Sequence, residues 1–413
     1  MSNVLLKNIV EASFRANPAF QLVLFDRLPP EQQEALRDLT KDPGFYGVLI
    51  PQQGSNAGTK SVCRDTALLL FALQQPGPLP RYVPSMLGEN CNQAIAELVL
   101  DGVLQMEHEG AYVCGSDAYD LIYDHRPAPE TEGTLPRLTR AALEYAQALD
   151  IDDSGRISAR LYFYNRLPLS PFWLRRFPGQ DAVASYLGIE SGGSVRRYLE
   201  GRWARLKPSS ESEGWFHWQT LADRMPETVA EPTYKLYLSP KPEFLREAFQ
   251  VFVEVLSDSR AQHFKVGWDA AGLLRPDKMV AYFRGFETLA EAGQKMTARL
   301  SGCAAQGVPF TAALEDDGLL SWGIDPVAEW GTLSWERPSW RLWVTNRLAN
   351  ALVAAKSAAN TSGAGLPACP EPGQSPTPRL VPWRFALERL RLENVDTDTW
   401  TPLGTFGRSE SVM

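Results

Sequence analysis

The sequence predicts an α+β protein: an N-terminal, mainly helical region, then a mixed β-sheet domain flanked by helices. Three observations carry this. Residues 233–284 read TYKLYLSP, KPEFLREAFQVFVEVL, QHFKVGWD and RPDKMVAYFRG; the first, third and fourth pieces alternate or run apolar over short spans, as strands do. The second piece sets Phe244, Leu245, Phe249, Phe252 and Val253 on one helical face. The composition, 44% hydrophobic with 12 tryptophans, supplies ample core, and 413 residues suffice for more than one domain.

Charge and cysteine usage narrow the function. A formal net charge of −8 argues against general nucleic-acid binding, which needs a basic surface. The five cysteines are scattered without a CxxC, and the four histidines do not cluster with them, so neither a disulfide framework nor a structural zinc is expected. No signal-peptide pattern opens the sequence and no apolar run approaches membrane-spanning length. The expectation is a cytoplasmic protein that uses no metal, membrane or nucleic acid.

Residues 1–60 are expected to be mostly helical, with FDRLPPEQQEALRDL the clearest case because Pro29 and Pro30 sit at a helix start. After the loop QQGSNAGTK come a helix in SVCRDTALLLFALQ, a second in NCNQAIAELVLDG with Ile95, Leu98 and Val99 apolar, and a hairpin in VLQMEHEGAYVCG turning at Glu109-Gly110. Helix, helix, hairpin is the order of a winged helix. Between Asn90 and Asp101 there is no Lys or Arg, while Glu97 and Asp101 are present, so a DNA-reading helix is disfavoured. Residues 60–120 resemble the PqqD-like recognition elements of peptide-modifying enzymes, which hold a leader peptide as an added strand; a purely structural helical region is the competing reading.

Residues 126–140 have linker composition. SARLYFYN reads as strand-like and is followed by a Pro-broken aromatic segment. Tyr162, Tyr164, Phe172 and Trp173 are expected in the core, Arg166, Arg175 and Arg176 on a solvated face, and His217, alone among aromatics, as a packed residue. LAEAGQKMTARLSGCAA is an amphipathic helix, and turns are expected at residues 316–318 and at Gly323. A helix then carries Arg337, Arg341 and Arg347 near its start, where cations oppose the helix dipole unless an anion or a carboxylate sits between them. Residues 357–378 have the composition of a flexible linker, and WRFALERLRL forms a last short helix. The division expected is 1–125, 126–356 and 357–413.

The chemistry-bearing residues fall on the central strands. Alternation puts Lys235 and Tyr237 on one face of their strand, and Tyr282 and Arg284 on one face of theirs. With Lys265, this gives a sheet face rich in cations and tyrosines, costly as core and natural as an anion site. No P-loop, GxGxxG, HExxH or GxSxG pattern is present, so nucleotide, metal and serine-hydrolase chemistry are not signalled.

On the residues KLYLSP, Phe264-Lys265-Val266, RPDKMVAYF and GVPFTAALEDDGLLSWGIDP, residues 230–352 resemble the HopA-type effector family, relatives of which occur with class V lanthipeptides and thioamitides. The same order runs parallel to the phosphothreonine lyases and to the lyase domain of some lanthipeptide synthetases. The resemblance implies cofactor-free β-elimination of phosphate from phosphoserine or phosphothreonine, leaving dehydroalanine or dehydrobutyrine. The implied substrate is a precursor peptide with its leader, phosphorylated by a separate kinase. It implies Lys265 as the base beside Lys235, Tyr237 or Tyr282 as proton donor, and Arg275, Arg284, Arg337 and Arg341 as phosphate ligands. Phosphothreonine lyases carry Lys-aromatic-His in the first strand; here the triplet is Lys235-Leu236-Tyr237. The alternative is therefore a non-catalytic scaffold or effector that binds peptide or protein and works with a separate kinase.

Overall fold

A computed structural model describes residues 6–52, 58–123, 133–207, 214–221, 232–326, 339–362 and 381–403. The architecture is α+β, as expected. Its centre is a seven-stranded sheet in the spatial order Ala312–Ala313, Leu320–Ile324, Tyr234–Leu238, Met279–Phe283, His263–Gly267, Trp215–Thr220, Trp203–Arg205, with every pairing antiparallel. Helices Leu245–Ser257 and Phe286–Arg299 bury their apolar stripes on one face. There they meet Leu236, Leu238, Phe264, Val266, Ala281 and Phe283, all fully buried. The alternation seen in the sequence thus becomes two different sheet faces.

The opposite face is overlaid by helices Ser154–Tyr162 and Trp340–Ser362, which pack on each other. Residues 160–164 were expected to be strand-like, yet Ser154–Tyr162 is helical: Asp153 caps it by accepting from the Arg156 N–H at 2.6 Å, and Ile157 and Leu161, one turn apart, are fully buried. The expected linker 126–140 is corrected in the same way. From Thr134 it is a 15-residue helix, Thr134–Ala148, anchored by Leu135, Ala142, Leu143 and Ala146. Gly323, expected in a turn, lies inside strand Leu320–Ile324. A Cβ there would meet Trp340 Cδ1 at 2.6 Å, so the glycine is what lets the tryptophan lie against the sheet.

The N-terminal region is corrected most. Instead of being mostly helical, residues 6–52 hold strands Ser13–Ala16, Phe20–Leu24 and Phe45–Pro51, one six-residue α-helix, Pro30–Ala35, and the short 3-10 helices Phe25–Arg27 and Arg37–Lys41. The α-helix has Pro at its first position as read, but no side-chain cap and no buried residue, so it stays short. The FYGVLI run pairs instead with Phe20–Leu24 and Lys60–Cys63; at Gly47, beside a bulge, a Cβ would sit 2.5 Å from the Val23 carbonyl oxygen. Helices Arg64–Ala72, Tyr82–Leu87 and Cys91–Leu100 follow, then hairpin Leu104–His108/Ala111–Val113, turning where Glu109 and Gly110 both have positive φ. The hairpin extends a four-stranded sheet of order Gly77–Pro78, Ser13–Ala16, Leu104–His108, Ala111–Val113.

The last helix, Pro382–Leu392, forms as expected and buries Trp383, Phe385, Ala386 and Leu390. It lies on Trp340–Ser362 and reaches the N-terminal region: the Arg389 guanidinium donates from Nε and Nη2 to the Asp101 carboxylate, each at 3.0 Å, and Gln93 Nε2 donates to the Leu392 carbonyl. Residues 357–362, expected to begin the flexible linker, complete the long helix; the rest of that stretch, 363–378, lies outside the described residues.

Candidate active site

Four neighbouring strands place their non-helical faces together. Lys235 lies opposite Tyr282 in the pairing of Tyr234–Leu238 with Met279–Phe283, and Tyr282 is opposite His263 on the next strand. Lys265, two residues on from His263 and so on the same face, is opposite His217 on the strand beyond. The Tyr282 ring is the hub. His263 stacks on it with centroids 4.0 Å apart, Lys235 Nζ lies 5.3 Å from its centre and Lys265 Nζ 5.7 Å. His217 Nε2 and His263 Nδ1 are 3.0 Å apart, a hydrogen bond between the two imidazoles.

Lys265 also lies over the Trp215 ring at 4.5 Å, and Arg275 lies against that same ring at 4.9 Å. Burial, with the Lys235 ammonium next and Arg275 adding to it, brings the Lys265 amine down to about 8, against the opposing pull of Asp277 and Asp325. Lys235 is itself held by Asp325 through an Nζ–Oδ2 contact of 2.6 Å. Burial and the neighbouring Lys265 lower His217 to about 4; burial, His217 and the two lysines lower His263 to about 3. The resting pair is neutral.

A buried ionic node supports this patch from the loop after Gly267. Arg275 donates from Nε and Nη2 to the two oxygens of Asp277 at 2.8 and 2.9 Å, and Arg341 Nη1 lies 2.9 Å from Asp277 Oδ2. Burial alone would raise the Asp277 carboxyl, but the two guanidinium groups hold it far below the usual carboxylate range. Arg341 is 1% exposed and also donates to the Tyr162 carbonyl at 2.6 Å. The conflict foreseen between its charge and the helix start is met by this carboxylate.

The residues singled out in the sequence therefore fall into groups. Lys235, Lys265, Tyr282 and Arg275 are brought together, and Lys265 and Arg275 are partly open to solvent. Tyr237 is on the same face but lies deep, packed with Val280, Tyr282 and Val308. Burial lifts both phenols well above their ordinary value. Arg284 is exposed beyond the end of its strand and engages the Gln262 amide. Arg341 is enclosed, and Arg337 lies outside the described residues.

Sequence reading missed Asp277, Asp325 and His263, and took His217 for a lone packed ring. The signal for the histidines was present: alternation turns Phe216 and Trp218 inward and His217 to the other face, and it puts His263 on the face of Lys265. Among the described residues no group of three His, Cys, Asp or Glu side chains is placed to hold a metal, and no helix is long and apolar enough to cross a membrane.

No protein-family description matches this chain, and no curated protein matches it in sequence. Solved structures do resemble it. An effector protein from Pseudomonas syringae pv. tomato strain DC3000 has 11% identity and a TM-score of 0.39, covering 66% of this chain and 98% of its own. An effector from Pseudomonas syringae pv. syringae strain 61 has 14% identity and a TM-score of 0.39, with 65% and 98% covered. The type III effector and phosphothreonine lyase OspF of Shigella flexneri has 12% identity and a TM-score of 0.25, with 46% and 88% covered.

Proposed function

We propose that this protein is a carbon–oxygen lyase that eliminates phosphate from phosphoserine or phosphothreonine in a ribosomally made precursor peptide. The observation that carries the reading is Lys265. It is a partly exposed amine, clamped between the Trp215 and Tyr282 rings beside a second lysine, and brought down to about 8. A lysine takes a proton only when neutral, and this environment supplies a useful neutral fraction near neutral pH.

In the proposed step Lys265 Nζ takes the Cα proton and the electron pair forms the Cα–Cβ double bond. The Cβ–O bond breaks and phosphate leaves. Tyr282, kept protonated by its burial, gives a proton to the departing oxygen, with Tyr237 behind it in the same cluster. Lys235 and Arg275 hold the phosphate, Arg341 acts through Asp277, Arg284 is assigned as an outer contact, and Arg337 remains a phosphate ligand on the resemblance alone. Residues 1–125 are read as the peptide-recognition region, 126–356 as the lyase and 357–413 as a linker with a short C-terminal helix. The leader is read as a strand added beside Ala111–Val113, the edge strand of its sheet. Phosphorylation is left to a separate kinase, and the work is placed in the cytoplasm.

A second reading, a binding platform without catalysis, is favoured by one observation: Lys235, Arg275 and Arg341 already have carboxylate partners. Mass spectrometry of a leader-bearing phosphopeptide incubated with this protein alone separates the two. Loss of one phosphoric acid per modified residue is the expected result; binding with the phosphate retained sinks the lyase and leaves the platform.

A further inference from the structure

The proposed mechanism leaves unused the imidazole pair at the open edge of the site. His217 and His263 come from adjacent strands, are hydrogen-bonded to each other at 3.0 Å, and lie on the same sheet face as Lys265, with His263 flat on the Tyr282 ring. A hydrogen bond between two neutral imidazoles uses one N–H and one lone pair, so each ring keeps a nitrogen free for another partner.

We propose that this pair is the part of the site that recognises the second negative charge of a phosphate monoester: as the anion settles against Lys235 and Lys265, the pair takes up a proton, and the imidazolium so formed helps to hold it. The inference rests on the anion site described above and assigns it two ligands and a selectivity. Without a ligand, the charged groups that act on the pair are Lys235 and Lys265, while Arg275, Asp325 and Asp277 surround Lys265 behind it and Tyr282 is un-ionised. Burial opposes a charge on the pair, and the two lysines add to this.

A bound dianion reverses the balance. One opposite charge within about 4–6 Å moves a pKa by about 1–3, and a dianion brings two. From about 4 at His217, that is enough to protonate the pair at pH 6, a pH at which Lys265 is already charged. A monoanion brings half the effect, so a phosphodiester protonates the pair less and is held more weakly.

The test is calorimetry with sulfate, whose own charge is fixed, at pH 6 in two buffers of different ionisation enthalpy. Dimethyl phosphate serves as the monoanion. Wild type is expected to take up about 0.5–1 proton with sulfate and clearly less with dimethyl phosphate. The double substitution His217→Gln and His263→Gln, which preserves hydrogen-bonding side chains, is expected to remove the uptake and to flatten sulfate affinity between pH 5 and 7. Sulfate binding without proton uptake, or the same uptake in the substituted protein, overturns the proposal while leaving the anion site intact. Absence of sulfate binding in wild type overturns the site along with it.

Discussion

The two faces of the central sheet are built from the same strands and obey opposite rules. On one, Leu236, Phe264, Ala281 and Phe283 are sealed beneath two amphipathic helices, and their contribution is burial. On the other, one residue along, Lys235, Lys265 and Tyr282 sit among carboxylates, aromatic rings and imidazoles. Desolvation there works against every charge, and the residues stay because they are arranged around one another. A single-residue step along a strand therefore separates stability from chemistry, and the comparison can be broken or sharpened one position at a time.

The sharpest contrast is Phe264 against Lys265. Lys265→Met is expected to cut elimination by about 10²–10⁴-fold, the range for a lost general base. Its thermal stability at neutral pH should not fall, because the substitution removes a desolvated amine whose folded-state pKa is depressed. Phe264→Ala should do the reverse: about 3–5 kcal/mol of stability lost in chemical denaturation, with activity following the folded fraction. Equal stability losses at the two positions would erase the distinction between the faces.

Asp277→Asn tests whether the ionic face supports itself. It leaves Arg341 buried opposite a neutral amide, and urea denaturation should register a loss of about 3–5 kcal/mol; a neutral result would mean the node is dispensable. Gly323→Ala pushes a methyl group towards Trp340 and is expected to cost about 1–3 kcal/mol, read as a lower melting temperature with quenched or shifted tryptophan fluorescence.

The smallest expected effect is on pH. If Lys265 is the base, kcat/KM should rise with pH through about 8, as the amine becomes neutral. Lys235→Met removes a neighbouring cation that lowers Lys265 and leaves Asp325, which raises it, so the inflection should move to higher pH. A move to lower pH contradicts the assigned coupling.

The difference between the faces was legible where period-two alternation could be read within one strand, as for Lys235 and Tyr237 or Phe264 and Lys265. It was illegible where it depended on which strand lies beside which. Asp325 becomes the partner of Lys235 only because Leu320–Ile324 pairs with Tyr234–Leu238, and Asp277 reaches Arg341 across 64 positions of sequence (341 − 277). The N-terminal strands were missed because a proline-led helical signal in residues 25–39 outweighed the β-rich run at 45–50. Ser154–Tyr162 was missed because the aromatic run Tyr162–Tyr164 looked strand-like, while the Ile157–Leu161 spacing favoured a helix once a core lay beneath it.

The clasp between the last helix and the first region has a consequence for the order in which the chain can be completed. Gln93 and Leu392 are 299 positions apart, Asp101 and Arg389 are 288 apart, and Tyr123 donates to the Glu388 carbonyl across 265. Such contacts close very long loops and are slow to form. On the ribosome, helix Cys91–Leu100 emerges well before Pro382–Leu392 and must wait for it before the side they share is covered. Until then the nascent protein carries an unfinished surface on that helix, and Pro382–Leu392 is the piece whose arrival ends the wait.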